Sequence, residues 1–523
     1  MDSLQPKLIT AGGVKVRLAK GNTEIIARNS VWYGIEVVIA IISTLATSIV
    51  IARAIGPDKL GYFSYIMWLA NISAAIGSFG IPATTRKYMA EYFGLGQPGV
   101  SRAIYQATLR SQSILAGTIT AVGLILVFTI SDRQYWWSSA FLVASVLPGM
   151  LTAIPAQANE AAENMKANVP SSLLGSLVYI VCVAISIGSG WGLPGVAIAL
   201  FLGRVSEVVL RLLLARKWMA TLPVSAVPDS LRVRMRTFLG LSTVLMLLQV
   251  IVWDRSDIVL LKTFSGSIRE ITFFSIAFNL TEKALRFPSA LGGAIGATVL
   301  AQFGRDQEAL RVLVARAARY LFLCGLPVLM GLAVLSGPLV RTFYGPQFLP
   351  VIPVLCYAAL FAIPKTMLLP AQQLLQASEE QRFLVMWICL CGAINIGLDL
   401  LLIPRYGALG ATVGNGVGQA LGVLGMWARA AKVFRIQVPW RDLTLVAVSG
   451  CAMAGAVFGL TTFVSGWRVL ALGVVVGTLT FVVMLRLFKL ITPDDRLRIL
   501  RAASKTPGPV RMCMERVVVA ISG

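Results

Sequence analysis

The sequence contains no histidine, and that absence removes whole classes of chemistry. Histidine triads, histidine–metal centres and histidine proton relays are all excluded. Charge is scarce too: 13% of the 523 residues are Asp, Glu, Lys or Arg, against roughly 25% in soluble domains. Acidic residues are the scarcer kind, 23 against 46 Lys and Arg, which leaves a net charge of +23. The seven cysteines have neither zinc-ligand spacing nor the pattern of a secreted disulfide framework, so buried thiols are expected. A Gly-rich phosphate loop of the Walker type is missing, so ATP is not the expected energy source. No cleavable signal peptide is expected either, because residues 1–28 are polar and basic and the next apolar run is too long.

What the chain does have is apolar length: 57% of residues are hydrophobic and the mean hydropathy is +0.79. Its apolar runs are of about 20 residues, the length of a membrane helix rather than of an alternating barrel strand. The expected fold is an all-α integral membrane protein. Gly, Pro and charge punctuation delimit fourteen helices: 29–52, 60–80, 107–130, 136–158, 169–189, 194–215, 237–263, 270–300, 319–342, 351–376, 381–403, 408–433, 441–463 and 467–490.

With these spans, most Lys and Arg fall on the N-terminal side of the membrane, and few on the other. Cytoplasmic loops carry the positive excess, so a multi-pass protein of the cytoplasmic (inner) membrane with both termini inside is expected. The basic balance is therefore a topology signal, and nucleic acid is not an expected partner.

The tripeptide PAQ occurs at Pro155–Gln157 and again at Pro370–Gln372, an offset of 215 residues. The same offset relates Gly192, Gly195, Gly203, Ala215 and Lys217 to Gly407, Gly410, Gly418, Ala430 and Lys432. Earlier in each half, IVIAR at 49–53 echoes IVLLK at 258–262. The expected organisation is a cytoplasmic segment (1–28), an N-lobe of helices 1–6 (29–217) and a cytoplasmic linker (218–236). A C-lobe of helices 7–12 (237–433), two further helices (434–490) and a cytoplasmic tail (491–523) follow. Six helices per copy bring both copies in from the same side, a parallel repeat of the kind found in transporters. Duplicated bundles also serve as scaffolds; charges inside the spans favour transport.

The eighth helix carries FNLTEKALRFP at 278–288. Asn279, Glu282, Lys283 and Arg286 recur at spacings of three and four, so they share one face. At ~1.5 Å per residue Glu282 to Arg286 lie about 18–24 Å from the outer end. Each charge there costs about 2.5–3.5 kcal/mol on insertion scales, so a wet cavity or internal pairing is expected, the alternative being that Lys283 and Arg286 snorkel to the cytoplasmic surface. A Glu282–Arg286 pair at i,i+4 would leave Lys283 as net positive charge. Lys365, beside Pro364, has no acidic neighbour in sequence and is a ligand candidate. Arg204 and Glu207 in helix 6 read equally well as an ion pair or a site, and Arg255 in helix 7 is a further candidate anion ligand. Asp254, Asp257, Glu36 and Glu282 are candidates for Na+ or H+ coupling. No other cofactor is expected.

Residues 51–91, IARAIGPDKLGYFSYIMWLANISAAIGSFGIPATTRKYMAE, resemble the first helical hairpin of bacterial polysaccharide flippases. These form the polysaccharide-transporter branch of the multidrug/oligosaccharidyl-lipid/polysaccharide exporter superfamily. The matching features include Arg53, Gly56 and Pro57 in the turn, Gly61 with Tyr62 and Phe63, then Arg86 and Glu91. Asp257 before Lys262 also looks like the family's seventh-helix end, although Ser265-Gly266 comes late here. The resemblance implies two six-helix lobes around a cavity that carries a polyprenyl-pyrophosphate-linked glycan between leaflets, with lipid and polysaccharide assembly proteins as candidate partners. A lipid II flippase and a multidrug cation antiporter of the same superfamily remain alternatives. An antiporter of cations would want an acidic cavity. A membrane enzyme would want a larger outer loop than any here, so the chain is not expected to be one.

Overall fold

The computed structural model describes residues 8–11, 14–17, 23–253, 257–302, 307–378, 380–490 and 496. Apart from a short antiparallel hairpin, Leu8–Ala11 with Val14–Arg17, its regular elements are helices. The expected all-α membrane architecture is what the chain adopts. Each of the fourteen expected stretches is mainly helical where it is described, but 136–158 breaks at Ser145 and 351–376 breaks after Phe361, passing through a turn at Pro364–Met367. Nine helices among the described residues are long and apolar enough to cross a membrane by length and composition. That number is smaller for physical reasons. Two of the nine, Gly34–Ser78 and Arg382–Phe434, each contain two expected spans. The Gly192–Met219 helix carries Arg204, Glu207 and Arg211 in its middle.

The long helices break at glycine. Gly56 (φ 76°, ψ 173°) precedes Pro57 and separates the first two spans. Gly407 (φ 53°) separates the eleventh and twelfth. Positive φ is unstrained only for glycine, and Gly407 is needed twice over. A Cβ there would lie within contact of the Glu270 carboxylate, which accepts the Ala408 N–H at 2.7 Å and caps the helix that follows.

The chain forms two compact units, Met1–Val250 and Ile251–Gly523. In the first, the helices Val169–Gly188 and Gly192–Met219 touch at Gly175 and Gly203, where a Cβ on either would lie 3.0 Å from the other's carbonyl oxygen. Such small-residue contacts let membrane helices approach closely without an aqueous driving force. In the second, the two last helices, Trp440–Phe463 and Trp467–Leu487, pack on Gln307–Val334 through Phe322, Leu326, Val446, Met453 and Phe481. Large apolar side chains such as Ile42, Ile125, Val474 and Leu479 face outward, as a lipid-facing perimeter requires. Exposed Trp137, Trp191, Trp440 and Trp467 sit at helix ends, the depth at which indole prefers the membrane interface.

Two segments differ from the sequence expectation. The basic stretch after the second span folds into a helix, Ile81–Gly94, that buries Ile81, Tyr88, Met89 and Phe93. The segment expected as a linker over 218–236 is helical from Asp229 onward, as part of Asp229–Trp253. Arg234 makes two hydrogen bonds to Glu91 at 3.1 and 3.3 Å. The Tyr88 hydroxyl donates to the Arg234 carbonyl, and Lys87 lies 3.8 Å from the Phe238 ring centroid. Burial pushes the Tyr88 phenol above its ordinary value, which keeps it a donor.

Candidate functional site

Each unit holds its own set of polar groups at membrane depth, and the two sets differ in chemistry. In the first unit the centre is Arg211, 4% exposed. Its Nε donates to Ser171 Oγ at 2.9 Å and its Nη2 to Ser172 Oγ at 2.6 Å. It forms ion pairs with Glu36 at 3.2 Å and Glu207 at 2.9 Å, the latter one turn away on the same helix. Ser172 also donates to Glu36, at 2.7 Å. Glu36, proposed from sequence as an ion-coupling group, thus sits in a salt-bridge network. Arg204 donates to the carbonyl and hydroxyl of Ser145 at 3.1 and 3.2 Å. Its guanidinium lies against Gly149, where a Cβ would stand 3.2 Å from Nη1.

Arg204 and Glu207 line a cavity of about 420 Å³ with Asn71, Ser78 and Thr152. Sequence reasoning counted Arg211, near the end of the expected 194–215 span, with the cations of the cytoplasmic side and missed its place here. The signal was present: Arg204, Glu207 and Arg211 fall three and four apart, one face of one helix.

In the second unit the polar face of the Ile268–Gln302 helix forms as expected, with one difference. Glu282 accepts from Lys365 Nζ at 2.6 Å, a partner 83 positions along the chain. The anticipated Glu282–Arg286 pair is not formed; Arg286 is exposed and has no ion pair among the described residues. Leaning the long lysine stem across from the Pro364–Met367 turn satisfies the carboxylate and leaves Arg286 facing outward from the stripe. Asn279 and Lys283 are half-buried beside them. The group holds Lys283, Arg286 and Lys365 together with Glu282.

Deeper in the same unit, Asp257 is fully buried. It accepts from Asn395 Nδ2 at 3.3 Å and from Asn415 Nδ2 at 2.9 Å. Asp399, also fully buried, lies in hydrogen-bonding reach of Asp257. Gly414 makes room for it, since a Cβ there would touch Asp399 Oδ1. Both Asp399 oxygens and the side-chain oxygens of Asn395 and Asn415 find no N–H or O–H donor among the described residues. Asp257 was a sequence candidate; Asn395, Asp399 and Asn415 were missed. Asn395 and Asp399 are four apart in an otherwise apolar run, which is the pattern that would have found them. Asp254 and Arg255 lie outside the described residues.

Gly56 and Pro57 make the break between spans, Gly61 is buried, and Arg53 is exposed. Arg86 pairs with Glu160 at 3.4 Å, and Glu91 with Arg234. Cys182, Cys324, Cys356, Cys389, Cys391 and Cys451 are free thiols.

A family model described as polysaccharide biosynthesis protein matches residues 97–353. Among solved structures, the chain is similar to the lipid II flippase MurJ in an inward closed conformation. The TM-score is 0.68 at 14% identity, covering 88% of this chain and 98% of that one. It is also similar to an inward-facing multidrug resistance MATE family transporter, with TM-score 0.64 at 16% identity over 75% and 94%. The chain shares the fold of these two transporters. A superfamily transporter from Pyrococcus furiosus, described as having a binding pocket of reverse polarity, shares this fold with TM-score 0.58 at 17% identity over 79% and 96%. No curated protein sequence matches the chain.

Proposed function

We propose that the chain is a flippase of the cytoplasmic membrane. It moves a polyprenyl-pyrophosphate-linked oligosaccharide or polysaccharide precursor between leaflets by alternating access and without chemical conversion, with both termini in the cytoplasm. The observation that carries this reading is the cationic face of the Ile268–Gln302 helix, where Lys283 and Arg286 lie with Lys365 beside Glu282. A membrane protein keeps charges at that depth where they meet water or a charged ligand, and pyrophosphate is an anion. The match to polysaccharide biosynthesis proteins supports the glycan part of the cargo.

Energy coupling is assigned to the Asp257 cluster. Its donor set is oxygen only, from two carboxyls and two amides, which suits a hard cation such as Na+. A proton serves the same site differently: two carboxyls in contact can bond to each other only if one is protonated.

The test is transport in liposomes, with a fluorescent polyprenyl-pyrophosphate oligosaccharide in one experiment and a cationic dye in another, under imposed Na+ or pH gradients. Movement of the lipid-linked glycan, driven by one of the gradients, is the expected result. Exchange of the dye with no lipid movement would make the chain a cation antiporter. Movement of lipid II in preference to other glycans would make it a lipid II flippase.

A further inference from the structure

The cavity of the first unit is distinct in charge from the cationic face of the second. Arg204 and Arg211 stand against Glu36 and Glu207, two charges of each sign. Of the donors on Arg204, only Nη1 has a hydrogen-bond partner among the described residues. Glu207 lines the same cavity with 26% of its side chain exposed. In the same lining, the buried Thr152 hydroxyl and the exposed Asn71 amide lack a hydrogen-bond partner among the described residues. Val146 and Met150 supply apolar wall.

We propose that this cavity recognises an uncharged sugar residue of the carried glycan, an inference that rests on the flippase reading above. A phosphate or uronate there would meet the Glu207 carboxylate, and a cation would meet Arg204. A sugar hydroxyl both donates and accepts, so a vicinal diol can take an N–H from Arg204 and give an O–H to Glu207. Asn71 and Thr152 offer further partners to neighbouring hydroxyls, while aliphatic wall suits the C–H face of the ring. The volume, about 420 Å³, falls within the roughly 300–1,000 Å³ of small-molecule sites. The repeat shows that the device belongs to one copy only. At the 215-residue offset Arg204 and Glu207 become Gln419 and Gly422.

The experiment is saturation-transfer NMR on the full chain in nanodiscs, with maltose, lactose and cellobiose as neutral probes, cellobiouronic acid as the charged one and inorganic pyrophosphate as competitor. Wild type is compared with Asn71→Leu/Thr152→Val and, as a second variant that keeps side-chain volume, Arg204→Gln. Melting temperatures check folding in both. The expected result is a signal from at least one neutral disaccharide that pyrophosphate does not displace and that falls about tenfold in a folded variant, as loss of two hydrogen bonds predicts. No signal from any neutral disaccharide overturns the proposal, as does a signal unchanged in both variants or a preference for the uronic acid. A sugar signal that maps to the cavity in a protein that fails the liposome test would sink the flippase reading alone. Lipid transport without any sugar signal would sink this inference alone.

Discussion

Replacing Arg211 by methionine tests the energetics of the first unit more sharply than any other single change. The guanidinium is 5% exposed and its two carboxylate partners, Glu36 and Glu207, are 20% and 26% exposed. Removing it strands two partly buried negative charges and the hydroxyls of Ser171 and Ser172. Breaking a buried pair costs about 3–5 kcal/mol, and partial exposure of the carboxylates places this case near the lower end. For a unit of this size 1 kcal/mol shifts Tm by about 2–4 °C, so Arg211→Met should melt about 6–12 °C below wild type. Methionine is the informative choice because Met426 occupies the equivalent place in the second copy. The triple variant Glu36→Gln/Glu207→Gln/Arg211→Met removes every charge together and should recover most of the loss, since apolar or neutral replacement of a whole buried pair is close to neutral. The assay is fluorescence-detected thermal unfolding in detergent. A single variant within about 2 °C of wild type, or a triple variant that melts no higher than the single, would refute the reasoning.

Other predictions follow from the second unit. Adding Na+ should raise the wild-type Tm and leave Asp257→Asn/Asp399→Asn unmoved; at 100 times Kd the linkage is worth about 2.7 kcal/mol, and an equal response in both proteins would remove the cation from that cluster. Lys365→Met removes the 2.6 Å ion-pair partner of Glu282 and should destabilise more than Glu282→Gln/Lys365→Met; equal Tm values would mean that this pair contributes nothing. Gly407→Ala places a Cβ at positive φ and against Glu270, so it should cost at least about 1–2 kcal/mol, read as lost Tm, whereas Gly397→Ala, with open space around it, should cost little.

The sequence disclosed what repeats and what is long. The PAQ offset and its glycines pointed to a duplicated unit, and the apolar runs located the helices. Gly56-Pro57 marked a break that the structure places at φ 76°. What stayed hidden were pairings across helices. Glu282 had a plausible partner four residues away, yet it bonds Lys365 from another element, because spacing reports only neighbours on one helix. Arg211 stood beside a basic segment and read as part of it; only packing against Ser171, Ser172 and Glu36 reveals its burial. Asp399 and its asparagines were lost in an apolar run because single polar residues barely change hydropathy, although burial makes each of them costly and therefore informative.

The central claim is that the cations of the Ile268–Gln302 helix bind the anionic group of a lipid-linked glycan. It is tested most directly by following a fluorescent polyprenyl-pyrophosphate oligosaccharide across liposomes containing wild type or Lys283→Ala/Arg286→Ala, with matched folding and matched protein. The account predicts transport by wild type and its collapse in the folded double variant. Equal transport by the two proteins would contradict it.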